Sequence, residues 1–399
     1  MYKINRKIII IDGILIAGIV LWIISLLTRK YEYILSFNFF SWSDFYVTLE
    51  FTTGNMESLG NYFPFAYLIA KILRIISFGD YSTTYIFVQT MLTSFIYFIL
   101  SSLLKDCIDN KKILIFILIF MQYPYIYELG RGNIELILFF FCLLFYYFYR
   151  KEKYQLSALM LSFAISMKLY PLLLSLIFLC NKKYKAFVTC IISTILLTLF
   201  SYIALYNVFG NIMDYVDRFS NFVDGYSNTR LALQHNHSIL IGIISIIYLI
   251  TKENIEILLS GTATQIYSII IIIVSIILVL FVLIRKMPNW KRLTILTLMM
   301  TSFPTISYDY TLLALMIPIV AFILDNNTTK RQDIIYSLLL TLQLVPMRWF
   351  EIQYIDRLPN EGLIIRPLLT VVTIVIIILS TFLKSNKMKK SDFYDYIDK

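Results

Sequence analysis

The sequence predicts an all-α polytopic membrane protein, a bundle of about twelve membrane segments with outer-face loops and surface-lying helices. Three observations lead there. Of 399 residues, 59% are hydrophobic and only 15% charged, too few charges to cover a soluble protein of this length. The apolar residues fall in long runs rather than in short periodic patches. The formal charge of +10 is carried by short Lys/Arg clusters between those runs. Scattered clusters read as orientation signals, not as a nucleic-acid-binding stripe.

Taken in order, Lys3, Arg6 and Lys7 precede an apolar run over 8–27 that is long enough to cross a bilayer. It exceeds a signal-peptide core and lacks a small-residue cleavage site, so it is read as an uncleaved anchor. Further runs follow at 82–104, 113–127, 133–149, 155–167, 171–180, 186–206, 264–285, 293–303, 310–324, 334–346 and 362–383. The short pair 155–167 and 171–180 is expected to dip in from the basic side. Its tip is Lys168-Leu169-Tyr170, with Pro171 opening the return helix. The apolar stretch 238–250 is too short to cross and is laid along the outer surface.

With the N-terminus inside, the short inner turns are basic: Lys105/Lys111/Lys112, Arg150/Lys151/Lys153, Lys182/Lys183/Lys185, Arg285/Lys286/Lys291/Arg292 and Lys330/Arg331. Both termini, including a tail over 384–399, are then cytoplasmic. Segments 28–80 and 207–262 lie outside, with turns at 128–132, 304–309 and 347–361. The whole chain, 1–399, reads as one integral membrane domain whose chemistry gathers on the outer face. Cys107, Cys142, Cys180 and Cys190 fall in spans or on the basic side, an arrangement that argues against a disulfide or a Cys metal site.

The stretch from Tyr127 to Pro171 organises the rest. It opens with Glu128-Leu129-Gly130-Arg131-Gly132-Asn133 and closes with Met167-Lys168-Leu169-Tyr170-Pro171. Two runs joined by a basic turn bring Arg131 and Lys168 to one water–lipid boundary. Ionisable groups there are functional candidates by default. Arg offers a planar fork and Lys a compact charge to the phosphate of a lipid-linked substrate; the alternative is that both snorkel to headgroups. Asp44, between Trp42 and Tyr46, is a general-base candidate if partial desolvation favours its proton-accepting form, or else a solvated loop residue. His235 and His237 share one face of an extended segment, but no further His or Cys completes a metal site. A histidine donating to phosphate and a merely polar loop both remain open. Asp309, in the turn Pro304 to Tyr310, is expected first as a helix cap, with acceptor or metal binding as the alternative.

Assembled, these turns resemble glycosyltransferase family 87, polyprenyl-phosphate-mannose-dependent transferases of the GT-C class. The resemblance rests on Asp44, on Tyr62-Phe63-Pro64, on Gly132-Asn133, on Lys168-Leu169-Tyr170-Pro171, on Asn236-His237-Ser238-Ile239 and on Pro304 to Tyr308, over roughly residues 8 to 325. Two places depart from the pattern: Phe65 replaces a second proline, and Tyr308-Asp309-Tyr310 replaces a tryptophan followed by histidines. The resemblance implies a GT-C-like bundle and transfer of a mannose-like hexose from a polyprenyl-phosphate sugar to a lipid-linked or cell-envelope glycan acceptor. No cofactor or metal enters. Asp44 would be the base, with Arg131, Lys168 and His237 on the donor phosphate. Tyr62, Asn133, Tyr170, Asn236, Ser238 and Asp309 would support them. Two other readings stay open: a polymerase or ligase using polyprenyl-diphosphate donors, and a lipid-linked sugar flippase, which would instead place charge near the midplane and show repeats.

Overall fold

The computed structural model describes residues 2–25, 42–54, 62–105, 112–227, 236–251, 258, 261–347 and 361–394. His235 and much of the expected outer segments and of the turn 347–361 lie outside the described residues. The described chain is helical, with one isolated bridge between Asn236 and Tyr308.

The helices are α1 (Tyr2–Ser25), α2 (Ser43–Phe51), α3 (Pro64–Ile76), α4 (Tyr81–Leu104), α5 (Lys112–Phe120), α6 (Tyr123–Arg131), α7 (Glu135–Arg150) and α8 (Tyr154–Met167). A 3₁₀ turn (Tyr170–Ser175) leads into α9 (Leu176–Cys180), then α10 (Tyr184–Ala204), α11 (Tyr206–Phe209), α12 (Ile212–Ser227), α13 (Ile239–Thr251) and α14 (Gly261–Ile284). After α15 (Asn289–Ser302) a second 3₁₀ turn (Asp309–Leu315) runs into α16 (Met316–Ile323), followed by α17 (Lys330–Leu342) and α18 (Glu361–Tyr394).

Among the described residues, five helices are long and apolar enough to cross a membrane: α1, α4, α10, α14 and α18. On α10, Ile192, Leu196 and Phe200 are exposed; on α14, Ile269, Ile273 and Ile277 are. Apolar faces of that extent suit hydrocarbon rather than water. The centre is built differently. Helix α15 and the segment 309–323 are buried almost throughout, Leu293, Leu296, Leu312 and Ile319 among them. Threonines are tolerated there because their hydroxyls bond back along the helix, Thr294 to the Trp290 carbonyl (2.8 Å) and Thr301 to that of Thr297 (2.9 Å).

Helices α7 and α8 form a hairpin closed by the basic turn at 150–153, and Ser157 Oγ ties them by donating to the Phe145 carbonyl (2.8 Å). The hairpin places the start of α7 beside the end of α8, which is what the site requires. At the opposite end, buried Lys7 donates to the carbonyls of Phe322 (2.7 Å) and Asp325 (2.5 Å), satisfying the C-terminus of α16.

The expected run 113–127 is not one segment. It breaks at Met121–Gln122 into α5 and α6, with Pro124 in the first turn of α6 where no donor is lost. The stretch 238–250 does form a helix, α13. One face of it packs on α18 so closely that a Cβ on Gly242 would lie 2.8 Å from Pro367.

Candidate active site

The Asp44 arm begins with a backbone contact. Trp42 takes a left-handed conformation (φ 49°) and donates its N–H to the Gly130 carbonyl (3.1 Å), setting the start of α2 against the end of α6. Helix α6 stops at Gly132 (φ +68°), whose N–H returns to the Glu128 carbonyl (2.8 Å). Glycine suits this left-handed stop. A Cβ on it would also lie 3.1 Å from Trp42 Cα and Phe45 Cβ. Because the two backbones press together there, the residues flanking Gly132 both reach Asp44. Arg131 Nη2 lies 2.5 Å from Oδ1, and Asn133 Nδ2 donates to Oδ2 at 2.8 Å. The first turn of α2 also favours a carboxylate through the helix dipole. The pair is partly open, with Arg131 32% and Asp44 17% exposed.

The Lys168 arm is buried. Helix α8 ends where Lys168 turns extended (φ −147°), and Phe63 N–H bonds the Met167 carbonyl (2.9 Å), docking Tyr62 beside the tip. Lys168 Nζ lies 2.7 Å from Glu135 Oε2 and 3.4 Å from Asn133 Oδ1. The rings of Tyr62 (5.1 Å) and Tyr310 (5.2 Å) take up the same cation. Tyr170 donates its hydroxyl to Glu135. Asn133 therefore joins the two arms, giving one side of its amide to Asp44 and the other to Lys168. Beneath them Glu128 is fully buried, its Oε1 accepting the Leu136 N–H (3.3 Å). Burial first, and the neighbouring Glu135 second, push its carboxyl well above the usual range.

A third arm joins the 236–238 segment to the turn after α15. Asn236 Oδ1 accepts the N–H groups of Ser238 and Ser307 (3.0 Å each), and Asn236 Nδ2 and Ser238 Oγ donate to the Thr305 carbonyl. His237 is buried, with Nδ1 3.3 Å from Asp309 and Nε2 3.5 Å from Ser307 Oγ. Burial holds its imidazole below the usual pKa, with Asp309 opposing. Asp309 is not a helix cap. Tyr308 occupies the cap position of that turn, and Asp309 points inward to Arg366 Nη1 at 2.6 Å. The arm meets the others through rings: Tyr310 stacks on Tyr127 (5.9 Å), Tyr127 on Tyr123 (5.8 Å), and Arg366 lies over Tyr123 (5.1 Å).

Residues 61–307, more than half of the chain, match glycosyltransferase family 87. The chain belongs to glycosyltransferase family 87. It is accordingly a membrane glycosyltransferase, with a sugar donor and an acceptor as its substrates. No curated protein and no solved structure matches it.

In this family 87 chain, Asp44, Asp309 and Arg366 lie outside the matched residues yet meet matched ones, Arg131, His237 and Tyr123 respectively. Of the residues singled out in the sequence, Asp44, Arg131, Asn133, Lys168, Tyr62 and Tyr170 converge. His237, Asn236, Ser238 and Asp309 form the adjoining buried clamp. Sequence reasoning passed over Glu135 and Arg366 and named Glu128 only as the start of the outer turn 128–132. Each is a charge at or inside an apolar run, a signal that was available.

Proposed function

We propose that the protein transfers a hexose, mannose-like, from a polyprenyl-phosphate sugar to a lipid-linked or cell-envelope glycan acceptor on the outer face of the cell membrane. The carrying observation is the single hydrogen-bonded cluster of Asp44, Arg131, Asn133 and Lys168, delivered by three separate stretches of chain. Asp44 deprotonates the acceptor hydroxyl as it attacks the anomeric carbon. Arg131 and Lys168 face the charge that grows on the departing phosphate. His237, whose nitrogens address Asp309 and Ser307, serves the phosphate through the turn it holds. In this reading the termini are cytoplasmic, and segments 28–80 and 207–262 of one membrane domain form the working face.

The deciding experiment is transfer by purified protein from a panel of polyprenyl-monophosphate and polyprenyl-diphosphate sugars. Transfer from a monophosphate hexose supports the reading. Transfer from diphosphate donors alone, or from nucleotide sugars, overturns it.

A further inference from the structure

We infer that Asp44 and Arg131 act as one unit, in which protonation of the base hands its guanidinium partner to the departing phosphate. The inference rests on the polyprenyl-phosphate reading above and extends it. Both oxygens of Asp44 are engaged, Oδ1 by Arg131 and Oδ2 by Asn133. Arg131 and Lys168 are each neutralised by a carboxylate, so the site presents paired charges rather than a cationic hole. The two pairs differ in freedom. Lys168 and Glu135 are 6% and 2% exposed, and Tyr170 also holds Glu135; Arg131 is 32% exposed. Its Nε–H is buried and meets no acceptor among the described residues, so the guanidinium has a donor to spare.

The charges balance. As the acceptor oxygen bonds to the anomeric carbon, the carbon–oxygen bond to phosphate breaks and its electron pair stays on the phosphate oxygen. The phosphate passes from monoanion to dianion. The hydroxyl proton moves to Asp44, which passes from anion to neutral acid. The Arg131 ion pair loses its partner at the moment a new anion forms beside it. Transition-state charge is then met by a group that the ground state held elsewhere.

Binding of polyprenyl monophosphate, the leaving group, tests this. Asp44→Asn should lose transfer and yet bind that phosphate about tenfold more tightly than wild type, the scale of one charge-assisted hydrogen bond. Asp44→Asn/Arg131→Gln should lose the gain. Asp44→Ala is the second variant, with the same gain expected should Asp44→Asn fail to fold. Wild type that transfers sugar, beside a folded Asp44 variant that binds the phosphate no tighter, overturns the inference alone. Wild type that neither binds the phosphate nor transfers sinks the donor reading and this inference with it.

Discussion

Arg366 and Asp309 meet at 2.6 Å with both side chains only 4% exposed, joining the last long helix to the turn that carries Tyr310 over Lys168. Removing one partner of such a buried pair leaves a charge without compensation, roughly 3–5 kcal/mol. Asp309→Asn should therefore lower the unfolding temperature in detergent by several degrees, and Asp309→Asn/Arg366→Met should recover part of the loss. A single variant that melts like wild type would show the pair to be unimportant.

Lys168 is in the same position with respect to Glu135. Lys168→Met should weaken donor binding, but it also strands a buried carboxylate and should lower stability. Lys168→Met/Glu135→Gln removes both charges. It should fold nearly as well as wild type and still bind donor poorly. Normal donor affinity in the double variant would free Lys168 of any role toward phosphate.

Gly132→Ala places a Cβ in a left-handed turn and within 3.1 Å of Trp42. The strain alone amounts to about 1 kcal/mol. The larger effect should fall on turnover, since Arg131 and Asn133 are aimed from that turn. Steady-state transfer should drop at least tenfold while folded yield falls little. Equal losses in both would mean that the glycine serves the fold only.

Glu128 gives a pH dependence of defined sign. Its folded carboxyl titrates above its unfolded value, so the native state holds a proton that the unfolded chain releases. That contribution to stability is complete below the unfolded value, near pH 4.5, and is lost as pH rises through the folded one. Glu128→Gln mimics the protonated acid. Unfolding temperature measured as pH rises from about 4.5 should fall less steeply in the variant than in wild type; parallel curves would mean that Glu128 is ionised in the fold.

Orientation is open to cysteine labelling. Asn221→Cys should react with an impermeant reagent in intact cells, and Glu152→Cys, in the basic turn after α7, should not. The reverse pattern would move the working face to the cytoplasm.

The helical class and most element positions were legible in the sequence because hydropathy registers burial in lipid. The Gly132 turn was legible as well, since a Gly-Arg-Gly-Asn stretch between apolar runs has few uses. Which carboxylate meets which cation was not. Asp44 and Arg131 are far apart in sequence, and only the close backbone approach at Gly132 joins them. Asp309 looked like a cap because it precedes an apolar run. Its partner Arg366 was hidden inside a run counted as a span. The break between α5 and α6 escaped hydropathy because the tyrosines that open α6 follow the aliphatic α5 with no charge before Glu128.

The hairpin of α7 and α8 also sets a depth. Helix α7 has 16 residues, about 24 Å of rise, between the basic turn at one end and Asn133 at the other. The hydrocarbon layer is about 30 Å thick. With the basic turn at one boundary, the reacting groups would sit several ångströms beneath the opposite surface, in a recess rather than on a rim. On the polyprenyl-phosphate reading, the isoprenoid carrier would keep its tail among the acyl chains, and the acceptor would have to reach down to the site.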